Sequence, residues 1–555
     1  MSKKFLILMS VILVVAMLFT GCSSPADEAD TPSDTSEETP AEETGGKKIL
    51  RSNNSSEPGS LDPALAQGTH ESWVLENVFE GLMTFDEKGE LVPGMAESYE
   101  ISDDELTYTF TLRDGVKWSN GDPVTAEDFE FTWKRALDPE LAADYANILY
   151  YIKGGEAYNT GQGSRDDVAV KALDEKTLEV TLESPTAYFL ELTAFYTYFP
   201  VNKNVVESNP DWAKKPETHV SNGPFKLVKW EHNAKLVLEK NESYYNADKI
   251  KLDGIDLDII EDQNTAWQKY EGGEYHILVD VPTSVVAQLQ AQNDPELEIG
   301  AQVGTYYYNV NPEIKPFNNV KVRKALSMAL DRETIVKNIT QGGQIAAEGV
   351  VSYGLLDETG KEFREGVGSL IEYDPEGAKA LLEEGLAEEG MSIEEFSSSN
   401  FVLLYNTSES HKKIAQAAQE MWRTALGIEI GLENVEFQVK LDREKSGDYQ
   451  ISRAGWIGDF MDPMTFLDLW ASDSSFNDVN YNNPEYDALL KEAKSTIDQD
   501  VRMESMRKAE KMLMEDMPVL PVYFYTQPYT VKSNVSGIIK VPVRYPVITY
   551  ADIAE

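Results

Sequence analysis

The chain has 555 residues with 96 acidic against 49 basic side chains, a formal net charge of −47 at neutral pH. A field of that sign repels phosphate backbones and anionic headgroups, which argues against nucleic acid as a partner and against electrostatic docking on a membrane. Cys22 is the single cysteine, so no disulfide framework staples the molecule and stability must come from a large core.

In chain order the first element is Phe5–Phe19, fifteen almost unbroken apolar residues behind Lys3 and Lys4. A helix needs about 20 such residues to cross the hydrocarbon layer, so the run reads as the h-region of a signal peptide. The Thr20-Gly21-Cys22 that follows resembles the lipobox of bacterial lipoproteins, with Phe19 where Leu is commoner. On that reading residues 1–21 are removed and the Cys22 thiol is acylated; the competing reading is an uncleaved anchor helix with an idle thiol. Ser23–Gly46 carries eight acids, three prolines and no Lys or Arg. It cannot bury enough surface to offset its ordering entropy, so 22–46 is expected to be a lipidated cysteine followed by a solvated acidic tether. No later stretch is long and apolar enough to span a bilayer, which predicts a body held by lipid at the outer face of the cytoplasmic membrane.

Within Lys47–Glu555, Lys48–Ser52 reads as a short strand, and Ser72–Leu82 places Val74, Leu75, Val78, Phe79 and Leu82 on one helical face. Leu106, Tyr108, Phe110 and Leu112 alternate with threonines, the pattern of a half-buried strand, and Arg113-Asp114-Gly115 is a turn. Thr125 with Asp128 resembles a capping box opening a helix through Leu137. Further strands are predicted at Thr177–Leu182 and Lys235–Glu239, and an amphipathic helix at Val320–Leu330. From Phe401 the order is strand (Phe401–Tyr405), helix (His411–Leu426), strand (Ile428–Leu432), a βαβ unit that implies a parallel pair. The sum is a mixed α/β protein of more than one lobe.

Catalytic motifs are not evident. There is no Gly-x-Ser-x-Gly elbow, and His70-Glu71-Ser72-Trp73-Val74 lacks the second histidine of a zinc protease. The five histidines, at 70, 219, 232, 276 and 411, are scattered, so no metal site and no cofactor is expected. A hydrolase built on paired carboxylates stays open as the weaker reading, because such pairs are spatial.

Four blocks, Val92–Pro139, Phe317–Val336, Leu403–Ala415 and Ser452–Pro463, resemble in sequence and order the family 5 extracellular solute-binding proteins, and within them the oligopeptide-binding branch. The resemblance implies a hinged two-lobed clamp of the periplasmic-binding-protein type with an additional third domain. Lobe I would be 47–80 plus 203–306 plus 525–555, the extra domain 81–202, and lobe II 307–524. It also implies a non-enzymatic, monomeric receptor that captures oligopeptides outside the cell and delivers them to the permease subunits of an ABC transporter driven by cytoplasmic ATPases. The alternatives are a same-fold receptor for nickel, haem or an oligosaccharide, or a peptide-pheromone sensor.

Residue by residue, the resemblance places Asp459 where a carboxylate meets the peptide α-ammonium, although an Asp after Gly458 taken alone reads as a turn residue. Gln67, Gly68 and Thr69, with the strand Ser452–Gly455, fall where the ligand backbone is paired as an added strand. Tyr145 and Trp456 match aromatic lining, or else simple core. Arg453 and His411 match scattered cations for the ligand carboxylate, though His411 is equally a residue opening its helix. Two positions depart from the family pattern: Phe437 stands where close relatives carry a pocket Trp, and Glu444 replaces a basic residue.

Overall fold

Residues 46–554 are described in the computed structural model; Cys22, the leader 1–21 and, apart from Gly46, the tether 22–46 lie outside them. The alternation at Thr107–Leu112 becomes a strand whose Tyr108, Phe110 and Leu112 are buried. Opposite them, Val180 pairs with Tyr108 and Leu178 with Phe110, so one face of this antiparallel pair is apolar throughout. Ala96–Ile101 and Val170–Ala172 complete this four-stranded antiparallel sheet. The helix Ala126–Ala136 covers it, opened as expected at Thr125, whose N–H donates to the Asp128 carboxylate at 2.9 Å.

A second four-stranded sheet runs in the order 49–53, 254–258, 235–240, 225–231, with only the first pair parallel. The largest sheet has seven strands, ordered 277–278, 519–531, 297–310, 451–457, 402–406, 431–435, with 345–346 also on 519–531. Its βαβ unit is the one foreseen, with Val402–Asn406 parallel to Gly431–Val435. The helix between them starts at Glu409 behind the capping hydroxyl of Ser408, two residues ahead of the expected His411. The second strand begins at Gly431 rather than Ile428. Gly427, at φ 72°, closes the helix in the left-handed region, and Ile428 and Ile430 are buried in the approach to the sheet before pairing starts.

The helix expected at Ser72–Leu82 instead spans Thr69–Val78. Its end is set from a distance. The Gly223 N–H donates to the Val78 carbonyl at 2.8 Å, and the Asn222 amide clamps Glu80 by accepting from its N–H at 3.1 Å and donating to its C=O at 2.9 Å. Gly81 lies so close to Thr193 that an added Cβ would run into the Thr193 carbonyl oxygen. Gly81→Ala should therefore destabilise the protein by about 1–3 kcal/mol, read as a lowered urea midpoint. Gly46→Ala, whose Cβ meets nothing within 4 Å, should leave the midpoint unchanged.

Two long strands, Leu297–Val310 and Val519–Val531, run antiparallel beside each other in the seven-stranded sheet. Leu297–Ala301 pair with Thr526–Thr530, Thr305–Asn309 with Val519–Phe524, and the register shifts between Ala301 and Thr305. One continuous apolar core runs from Leu50 to Ala551 through all three large sheets. Among the described residues no helix is long and apolar enough to cross a membrane.

Candidate functional site

The break in the long strands marks the floor of a closed cleft enclosing a cavity of about 330 Å³. Its walls come from three parts of the fold: residues 55–76 with 543–545, the segment around Tyr145 and Tyr196, and the strand 451–457 with the helix Phe437–Lys445 and the loop 475–478. Contacts across the mouth hold it shut. Lys445 pairs with Asp144, the Met461 N–H donates to Glu191 at 3.2 Å, and Tyr188 stacks on Phe460 with ring centres 4.4 Å apart.

Strand 451–457 supplies the central wall. It pairs fully with 304–310 on one edge, but on the other edge strand 402–406 reaches only to Ser452. From Arg453 to Ile457 that second edge faces the cavity with no strand of the described residues beside it. Such an edge is a template for an added strand. Gly455 is required there, because a Cβ would stand 2.5 Å from the Tyr525 hydroxyl.

Asp459 follows the strand and is surrounded by aromatic rings. Tyr145 donates to its carboxylate at 3.3 Å; the Tyr145 ring lies 4.5 Å from Phe476, 5.6 Å from Tyr196 and 6.1 Å from Trp456. Burial pushes the Asp459 carboxyl well above the usual carboxylate range, and the Tyr145 hydroxyl opposes this only in part. No Lys, Arg or His of the described residues forms an ion pair with it. Some of its surface still opens into the cavity.

Arg453, six residues earlier, mirrors this arrangement. Its guanidinium lies 4.8 Å from the centre of the Tyr306 ring, donates to the Tyr525 hydroxyl at 2.8 Å and to Asn406 at 3.4 Å, and has no carboxylate partner among the described residues. Burial opposes its charge, and the surrounding hydroxyls of Tyr525, Tyr306 and Tyr523 outweigh that effect. His411 stands in the same wall, but burial, then Arg453 and Lys440, push its imidazole well below the ordinary value. It offers a hydrogen bond rather than a charge, so Arg453 is the one of the two expected cations that is charged here.

Gln67, Gly68, Thr69 and Phe437 also line the cavity. Thr69 donates to the Tyr545 hydroxyl at 3.3 Å, and Phe437 packs edge-on against His70 at 5.2 Å. The space left by the missing Gly68 side chain is taken by Glu71, whose carboxylate accepts from the Gly68 N–H at 3.0 Å and lies 2.9 Å from a Cβ built there. The close approach that the glycine allows is therefore already used inside the protein. Sequence reasoning missed Tyr196, Phe476, Asp478 and Tyr525. The first three lie in segments without periodicity, and Tyr525 sits inside a long strand that gives no hint of its place at the strand break.

A two-lobed α/β fold shut over a cavity defines a clamp-type solute-binding protein. The family model described as bacterial extracellular solute-binding proteins, family 5 Middle, matches residues 90–478, and the chain belongs to that family. It is 46% identical to the oligopeptide-binding protein OppA of Bacillus subtilis (strain 168) over 501 residues, 89% of this chain and 90% of that one. The crystal structure of Haemophilus influenzae OppA in complex with the peptide RPPGFSPFR superposes with a TM-score of 0.85 at 33% identity, covering 92% of this chain and 99% of the other. The unliganded open form of the murein tripeptide-binding protein MppA superposes with a TM-score of only 0.60 at 34% identity, covering 91% and 97%. At equal sequence distance the better match is to the peptide complex, in keeping with the closed cleft.

Proposed function

We propose that the chain is the substrate-binding component of an ABC importer, capturing oligopeptides outside the cell and passing them to permease subunits powered by cytoplasmic ATPases. One observation carries this reading: a single closed cavity holds a carboxylate without a cation, a guanidinium without a carboxylate, and a free strand edge beside them. An extended peptide is the ligand that supplies an ammonium, a carboxylate and a backbone to match all three. Asp459 receives the α-ammonium, Arg453 the carboxylate end with His411 as a neutral donor, and Gly455 with its neighbours the peptide backbone. Tyr145, Trp456 and Phe437 shape the side-chain space, with Gln67, Gly68 and Thr69 forming the facing wall. A solute lacking an ammonium, such as an oligosaccharide, leaves Asp459 buried without a partner, and the chain acts as a receptor rather than an enzyme.

The domain limits we infer are lobe I at 47–80, 203–306 and 525–555, the extra domain at 81–202, and lobe II at 307–524. The register shift between Ala301 and Thr305 supports the hinge position. Acylated Cys22 tethers the monomer to the outer face of the membrane.

Thermal melting tests the reading. A ligand that binds only the folded state stabilises it by about 2.7 kcal/mol at a hundredfold excess over Kd. A mixed tri- to pentapeptide library should raise the melting temperature clearly, and the same library N-acetylated should raise it little. Equal shifts, or none, would overturn the assignment.

A further inference from the structure

The wall of the cavity that departs most from the family pattern is the one formed by the helix Phe437–Lys445 and the loop 475–478. Lys440 and Glu444, one helical turn apart, form an ion pair buried to within 3% of full occlusion, and Asn309 donates to Glu444 at 3.3 Å. At the rim Lys445 pairs with Asp144 and donates to the Ser475 carbonyl at 3.3 Å. Each lysine of this wall thus has its own acid. Asp478 is the acid left over. It lines the cavity, and no hydrogen bond from a described residue reaches its carboxylate oxygens; only its backbone is engaged, its carbonyl accepting from the Tyr449 hydroxyl at 2.6 Å.

We propose that Asp478, backed by the Lys440–Glu444 pair, forms a side-chain pocket that selects a lysine or arginine at one position of the bound peptide. The inference rests on the peptide-binding reading. With Asp478 ionised the enclosed charges are one positive and two negative, a net negative charge that an arriving cation neutralises. An aliphatic side chain would seal Asp478 away from water without a partner, and an acidic one would bring a third carboxylate. The pocket adjoins the box around Asp459, because Phe476, two residues before Asp478, lies 4.5 Å from the Tyr145 ring. It therefore receives a side chain from the amino-terminal part of the peptide.

Burial and the nearby Glu444 hold the empty Asp478 at a pKa of about 7, while Lys440 and Lys445 pull it down and Asp144 pushes it up. Tyr307 and Tyr449, which face this wall, are pushed far above neutrality by burial, and His411, which Lys440 also acts on, is pushed well below its ordinary value by burial, so all three stay uncharged. The selectivity is therefore present at pH 8, where Asp478 is ionised, and fades as acid protonates it.

Titration calorimetry on the chain with tetra-alanine hosts tests the assignment, each host carrying one lysine or one norleucine at each of the four positions. Comparing matched pairs cancels any titration of Asp459. At one position lysine should bind about tenfold tighter than norleucine at pH 8, and this ratio should shrink severalfold at pH 5.5. Asp478→Asn should bring the ratio close to one, and Asp478→Glu should keep a preference for lysine. If tetra-alanine binds but no position favours lysine, or if the preference survives Asp478→Asn, the pocket assignment is wrong while the peptide reading stands. If none of the peptides binds, both fall together.

Discussion

Asp459→Ala should weaken binding of a free-amine tetrapeptide by roughly a hundredfold or more while leaving the weak binding of its N-acetylated form nearly unchanged. Removing one member of a buried charge pair strands the other, at about 3–5 kcal/mol, and the stranded group here is the peptide ammonium. Among the described residues the variant removes no ion pair, since there the carboxylate's one partner is the Tyr145 hydroxyl. Asp459→Asn keeps the shape and hydrogen bonding but not the charge, and should fall nearly as far. Calorimetry with acetylated and free peptides side by side decides the matter: equal losses for both would mean that Asp459 shapes the cavity rather than pairing with an ammonium.

The same carboxylate couples closure to pH. In the closed empty cleft Asp459 is held well above the usual carboxylate range by burial, whereas in an open cleft it would be hydrated and ordinary. The closed form is therefore fully favoured only below the ordinary carboxylate pKa, and that advantage is lost as pH rises through the raised value. Ligand-free protein should scatter X-rays as a more open particle at pH 8 than at pH 5. The difference should shrink in Asp459→Asn, the remainder coming from Asp478, which burial in the closed cleft also raises, to about 7, and a wild-type profile flat across this range would contradict the coupling.

Much of the fold was legible where a local pattern and the final packing agree. Tyr108, Phe110 and Leu112 alternate with threonine because one face of their sheet is covered, and Thr125 with Asp128 marks a helix start by a contact three residues apart. Reading failed where a distant partner decides. Nothing near Val78 announces that the helix stops there, because the stop is made by Asn222 and Gly223. The order of the seven-stranded sheet brings together strands separated by more than two hundred residues, which periodicity does not encode. At the site, Asp459 and Arg453 became visible through likeness to a family, whereas their charge states depend on burial. His411 shows the difference: its type suggested a cation, and its buried place beside Arg453 makes it neutral.

The largest stability effect is expected outside the cavity lining, at the pair Arg364–Glu510, both fully buried. Glu510, on the helix Gln499–Asp516, receives the Arg364 guanidinium on both oxygens and also accepts the backbone N–H groups of Val350 and Val351 at 2.9 Å each. The Val350 carbonyl in turn accepts from the Thr305 hydroxyl at 2.8 Å, which ties this network to the strand break at the cleft floor. Arg364→Ala should cost about 3–5 kcal/mol by leaving the Glu510 carboxylate buried without its cation. Many buried ion pairs are replaceable by apolar residues at little cost, but this one should not be. An Arg364→Met, Glu510→Leu double variant would orphan the Val350 and Val351 N–H groups, each at about 1–3 kcal/mol, so it should remain clearly less stable than the parent in urea unfolding. A double variant matching the parent would show that these two N–H groups find other partners and that the network is dispensable.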